Sequence, residues 1–95
     1  MAYYLIVRVK VNDPEGYAAY TALTPDIVAA HGGRFLVRCP APVTLEGPQE
    51  QQRIVVVEFP DEQHARTFYD SAQYQAAKAI REPFSEAQFL MVPGV

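Results

Sequence analysis

The sequence predicts an α+β fold of the ferredoxin-like kind: a βαββαβ sandwich, with an antiparallel four-stranded sheet and two helices on one face. Three observations carry this. A unit of apolar strand, capped helix and apolar strand occurs twice, first from Tyr3–Val11 to Arg34–Cys39, then from Arg53–Phe59 to Ala87–Val92. A polar stretch, Gly47–Gln52, joins the two units as a hairpin loop. The chain of 95 residues has no linker and no low-complexity run, so residues 1–95 read as a single domain.

The first strand places Tyr3, Leu5, Val7, Val9 and Val11 on one face, and Tyr4, Ile6, Arg8 and Lys10 on the other. Asp13-Pro14-Glu15 then starts a helix: an N-cap acceptor, a proline where no N–H is needed, and an acid that complements the helix dipole. Tyr17, Tyr20, Leu23, Ile27 and Val28 form its apolar stripe. Pro25 predicts a kink or restart, with Thr24 as a second cap. Gly32-Gly33 ends the helix.

Strict alternation in the second strand sets Phe35, Val37 and Cys39 against Arg34, Leu36 and Arg38. Pro40 and Pro42 interrupt pairing, and Val43-Thr44-Leu45 is expected to resume it. The third strand is apolar on both faces except at Glu58, as a central strand should be. Asp61 caps the second helix, whose stripe runs through Ala65, Phe68, Tyr69, Ala72, Ala76, Ala79 and Ile80. Asp70-Ser71 offers a restart within it, and Pro83 ends it. Phe89 and Met91 point the last strand inward.

The helices can cover only one face of the sheet, yet the first and third strands are apolar on both. A homodimer through the bare sheet faces, packed face to face into a barrel-like core, is the expected remedy. Composition narrows the rest. Nearly half the residues are apolar, which excludes disorder. A net charge of -3 without a Lys/Arg cluster argues against nucleic acid. No apolar run approaches the ~20 residues of a membrane span. The start of the chain shows no secretory leader, and Cys39, the single cysteine, has no partner for an internal disulfide, so a cytoplasmic protein is expected.

The segments His31–Arg38, Leu45-Glu46-Gly47, Val56–Pro60 and Phe68–Gln75 together resemble the domain of unknown function 1330 family, and the resemblance spans essentially the whole chain. Ala72 stands where that pattern leads one to expect proline. The resemblance implies the dimeric α+β barrel superfamily, which holds cofactor-free oxygenases, isomerases, haem-binding enzymes and proteins with no known activity.

Six residues are candidates for ligand binding: Arg8, Tyr20, His31, Arg38, Glu58 and Tyr69. By alternation Arg8, Arg34, Arg38 and Glu58 share one face, so Glu58 is expected between Arg8 and an arginine of the second strand. Such a set either clamps an anionic small molecule or forms a structural ion pair. His31, at the end of the first helix, reads as a general base or haem ligand, or as a cation favoured by the helix terminus. Tyr17, Tyr20, Tyr69 and Tyr74 either line a pocket suited to aromatic ligands or belong to the core. Cys39 reads as a small hydrophobe rather than a nucleophile, and His64 as surface. Two histidines in separate segments make no metal site, and without tryptophan the triad of the haem-degrading members has no counterpart, so no cofactor is expected. The readings are therefore a small-molecule binding module, a cofactor-independent oxygenase or isomerase with His31 or Glu58 as base, and a structural dimerisation unit.

Overall fold

The structure, a computed structural model, describes residues 1–95. Its elements are β1 (Tyr3–Val11), α1 (Pro14–Ala30), β2 (Arg34–Cys39), β3 (Arg53–Phe59), α2 (Glu62–Asp70), α3 (Ala72–Arg81) and β4 (Ser85–Pro93), with a 3₁₀ turn at Glu82–Phe84 before β4. The strands form one antiparallel sheet in the order β2-β3-β1-β4, the ferredoxin-like arrangement that the duplicated unit predicts. The helices lie on one face of it.

Local chemistry accounts for the element ends. The Asp13 side chain accepts the Glu15 N–H at 3.2 Å. At the other end of α1, the N–H of Gly33 donates to the Val28 carbonyl at 2.9 Å and that of Gly32 to the Ala29 carbonyl at 3.1 Å. This is the Schellman pattern, and Gly32 takes the left-handed φ of 77° it requires. Pro25 does not restart α1, which runs through it. The Thr21 carbonyl, left without the N–H that Pro25 lacks, accepts the Thr24 hydroxyl at 3.5 Å instead. Thr24 is thus a substitute donor inside the helix, not a cap.

The second helical segment breaks in two at Ser71. Its hydroxyl caps α3 by accepting the Tyr74 N–H at 3.1 Å. There are therefore three helices on the sheet, and the break resets the helical phase. The stripe expected at Ala72, Ala76, Ala79 and Ile80 faces solvent, and α3 buries Tyr74, Ala77 and Arg81 instead. Val43 and Leu45 do not resume the strand; the segment is irregular and both side chains are exposed. Prolines at 40, 42 and 48 leave it few donors for a ladder.

The core lies between the sheet and the helices. Val9, Phe59, Phe68 and Tyr74 are its largest fully buried side chains. Phe68 packs on Phe59 and Tyr74 with ring centroids 5.2 and 4.7 Å apart. The opposite face of the sheet has no cover within the chain. Ile6, Ile54 and Val56 are half-buried there, and Val37 and Leu90 are 40% and 45% exposed. The protomer exposes 5928 Å², somewhat above the roughly 5,500 Å² expected of a compact monomer of its mass.

Candidate functional site

One register fault decides where the site lies. Between Phe35 and Val37 the β2–β3 ladder shifts, so that Phe35 opposes Val57 while Val37 opposes Val56 and Arg38 opposes Val55. Directly paired residues share a face. Beyond the bulge, strict alternation therefore fails: Val37 and Cys39 move to the bare face, and Arg38 moves to the helix face beside Phe35. Its guanidinium carbon sits 3.9 Å from the Phe35 ring centroid.

Arg38 there borders a cleft between α1 and the sheet. Leu5, Val7, Val55, Val57, Phe68 and Phe89 supply apolar wall, and Tyr17, Tyr20, Tyr74, Thr21 and Thr24 supply hydroxyls. Arg53, first residue of β3, is its second cation. The cleft leaves about 80 Å³ for the centres of water-sized molecules. One water needs ~10–15 Å³ by that measure, so a molecule of about one ring fits without rearrangement.

The cations around this cleft are unusual in having no acid beside them. Of the six arginines, Arg8, Arg34 and Arg66 make ion pairs, with Glu50, Glu58 and Glu62. Arg38, Arg53 and Arg81 make none. The Arg53 Nε is buried without any hydrogen-bond partner. Arg81, only 6% exposed, stands behind the cleft floor. Its guanidinium lies 4.7 Å from the Phe89 ring and 5.7 Å from the Tyr20 ring, and its Nε donates to the Tyr74 hydroxyl at 3.4 Å. The Tyr20 and Tyr74 hydroxyls are 2.9 Å apart. Burial, reinforced by Tyr74, holds the ionisation of Tyr20 well above the ordinary tyrosine range. Burial also raises Tyr17, against the opposing pull of Arg53 and Arg81.

The expected Arg8–Glu58 constellation does not form. Antiparallel pairing sets Glu58 opposite Tyr4 and Arg8 opposite Ile54, at opposite ends of the strand pair. Arg8 instead grips Glu50 with two bonds, of 2.6 and 3.0 Å, and this bonding holds the Glu50 carboxyl below the usual range. Glu58 pairs with Arg34 at 2.7 Å and accepts from the Tyr4 hydroxyl at 3.4 Å. Both pairs flank the bare sheet face, away from the cleft.

Nor does His31 line the cleft. Its Nδ1 donates to the Ile27 carbonyl at 2.9 Å, its ring meets Phe68 edge-on, and it borders a shallow groove shared with His64. Tyr69 packs on Tyr74 and Phe89 at 5.3 and 6.0 Å and faces a separate outer depression. Of the six candidates, the structure brings only Tyr20 and Arg38 to one cavity. Arg53 and Arg81 were missed, although each left a signal. Arg53 has the parity of Val55, Val57 and Phe59, and Arg81 follows Tyr74 and Ala77 at helical spacing once Ser71 restarts the helix. No three metal-ligating side chains converge anywhere in the chain, and no helix is long and apolar enough to cross a membrane.

The fold is shared with proteins of solved structure. A protein of unknown function from Rhodopseudomonas palustris, RPA0582, superposes with a TM-score of 0.77 at 17% identity, over 99% of this chain and 82% of that one. SnoaB, a cofactor-independent oxygenase from Streptomyces nogalater, gives 0.71 at 13% identity, over 99% and 93%. A dimeric ferredoxin-like protein of unknown function from Jannaschia sp. CCS1 gives 0.73 at 10% identity, over 99% and 100%. Identities this low speak to fold alone. No curated protein matches the chain significantly. A family does: residues 2–95 match the domain of unknown function DUF1330, and the chain belongs to that family.

Proposed function

We propose that this protein is a homodimeric binding module whose helix–sheet cleft takes a small, largely apolar anion, an aromatic monoacid being the simplest example. One observation carries the reading: Arg38 and Arg53, which line one apolar cleft, and Arg81, which stands behind its Tyr20–Tyr74 wall, have no carboxylate partner, while the other three arginines are all paired. Arg38 is exposed, but Arg53 and Arg81 are held partly or wholly out of water, where a cation without an acid partner is costly. An anionic ligand offsets that cost, and guanidinium offers a carboxylate two parallel donors. The aromatic and aliphatic wall supplies the affinity for a ring.

Dimerisation belongs to the same reading. A two-fold partner laid on the bare face would cover Ile6, Val56 and Leu90 and leave the cleft on the outer side of each protomer. The Jannaschia protein, of the same fold, is described as dimeric. The oxygenase reading draws on the likeness to SnoaB, but its proposed bases, His31 and Glu58, both lie outside the cleft. The binding reading needs no such group.

Calorimetric titration with benzoate and with benzamide tests the proposal. The acid should bind and the neutral amide of the same shape should bind at least about tenfold more weakly, the value of one charge-assisted bond. Equal binding of both, or of neither, would refute it. Light scattering should give about 21 kDa, twice the protomer's 10.6 kDa; a protomer that stays single at high concentration refutes the dimer.

A further inference from the structure

We infer that the Tyr20–Tyr74 pair is a second recognition point of the cleft, donating a phenol proton to an acceptor oxygen on the ligand remote from its acid group. This rests on the anion-binding reading above and adds the chemistry of the ligand's other end.

A count of protons carries the inference. The Tyr20 and Tyr74 hydroxyls, 2.9 Å apart, hold two protons between them and share one hydrogen bond. Arg81 can only donate, and its Nε gives a proton to the Tyr74 oxygen at 3.4 Å. The consistent chain therefore runs from Arg81 to Tyr74 to Tyr20. It ends on a Tyr20 proton to which no carbonyl, carboxylate or amide of the protein offers an acceptor. If the central bond runs the other way, the spare proton is on Tyr74. One phenol proton is left over in either case.

That proton lies at the cleft, since both rings line it. The nearby hydroxyls do not absorb it: Thr21 and Thr24 donate to the Ala18 and Thr21 carbonyls at 3.1 and 3.5 Å, and neither they nor Tyr17 is hydrogen-bonded to either phenol. No carboxylate, carboxamide or imidazole is among the lining residues. Burial keeps Tyr20 protonated through the neutral range, so it remains a donor. The cation behind Tyr74 polarises the chain toward donation. A buried donor without an acceptor is expensive to leave and gains when a ligand supplies one. The geometry thus selects an acid that carries a bare acceptor, such as a ketone oxygen, across an apolar body.

The test compares two acids of nearly equal shape, para-acetylbenzoate and para-isopropylbenzoate, by isothermal titration calorimetry on the wild-type protein. The isopropyl compound is the more hydrophobic, so the apolar wall by itself favours it. The spare phenol proton reverses that order, and the acetyl compound should bind about tenfold tighter. In the Tyr20→Phe, Tyr74→Phe double variant the preference should fall below about twofold or invert. Equal affinities in the wild type, or a preference that survives in the double variant, would overturn the phenol role while leaving the anion site standing. Failure of both acids to bind would overturn the anion site and this inference together. The wild-type comparison stands even if the double variant does not fold.

Discussion

Arg53→Met separates a residue kept for the fold from one kept for a ligand. The Arg53 stem enters β3 opposite Val9, which is 1% exposed, and its Nε is buried with nothing to bond. Methionine preserves an unbranched stem of similar reach and removes the orphan donor. Leaving such a donor unsatisfied costs about 1–3 kcal/mol, so its removal should stabilise the protein by about 1–2 kcal/mol after imperfect repacking. For a domain of this size each kcal/mol moves Tm by roughly 4–8 °C, so the variant should melt at least about 4 °C higher. The same substitution removes charge-assisted bonds worth about 1.5–3 kcal/mol to a bound carboxylate, a loss of roughly ten- to 150-fold in benzoate affinity. Differential scanning calorimetry and titration of the two proteins at one protomer concentration measure both effects, since assembly would otherwise shift Tm. The signature is opposite signs, stability up and binding down. A melting point lowered by more than about 4 °C would show Arg53 to be structural, and unchanged benzoate affinity would remove it from the site.

Three further outcomes are expected. Val56→Asp puts a charge at the centre of the bare face, opposite Ile6 and Val37; burying it against a partner costs several kcal/mol, so light scattering should report the 10.6 kDa protomer with its circular dichroism retained. Tyr20, whose burial raises its folded-state ionisation above the ordinary value, should make the protein alkali-sensitive. Above pH ~10 the unfolded chain releases this proton and the folded chain keeps it, so stability is intact below ~10 and falls by up to ~1.4 kcal/mol per pH unit above it. Urea unfolding of wild type and Tyr20→Phe from pH 8 to 11 should show a steeper loss in the wild type. Gly33→Ala should destabilise by about 1–3 kcal/mol through overpacking, because its Cβ would lie 2.6 Å from Phe59 Cε1, in a ring that is wholly buried; an unchanged urea midpoint would refute that reading.

The order of elements was legible because each rests on local chemistry. Asp13-Pro14, Gly32-Gly33, Asp61 and Ser71 announce helix ends through caps that the structure reproduces in their hydrogen bonds. Where the reading failed, two local signals competed and their relative strength was invisible. Pro25 removes one helical bond, but the other bonds of α1 and the Thr24 hydroxyl hold the helix continuous. Asp70-Ser71 breaks the second helix outright, and a stripe drawn at constant period across a break must go out of phase. Register, too, is a property of two strands and not of one. Alternation along Arg34–Cys39 cannot reveal a bulge that exists only relative to β3.

That last failure is why alternation puts Arg38 on the wrong face, while Arg8, Arg34 and Glu58 share the bare face as expected. With alternation intact, Arg38 would stand with Glu58 and Arg8 on the bare side, and every strand arginine there would have an acid within its own sheet face. The bulge takes Arg38 out of that set and delivers it to a face that already holds Arg53, which no acid accompanies. Arg8 and Arg34 keep their glutamates at the margin of the bare face, where side-chain exposures of 42% and 71% make the pairs cheap and weak. The two faces thus differ in kind. One has its charges neutralised around an apolar centre, the composition that the proposed dimer interface calls for. The other holds Arg38 and Arg53 without an acid partner around an apolar hollow, and the buried, unbonded Arg53 Nε is the donor that the proposed anion would satisfy.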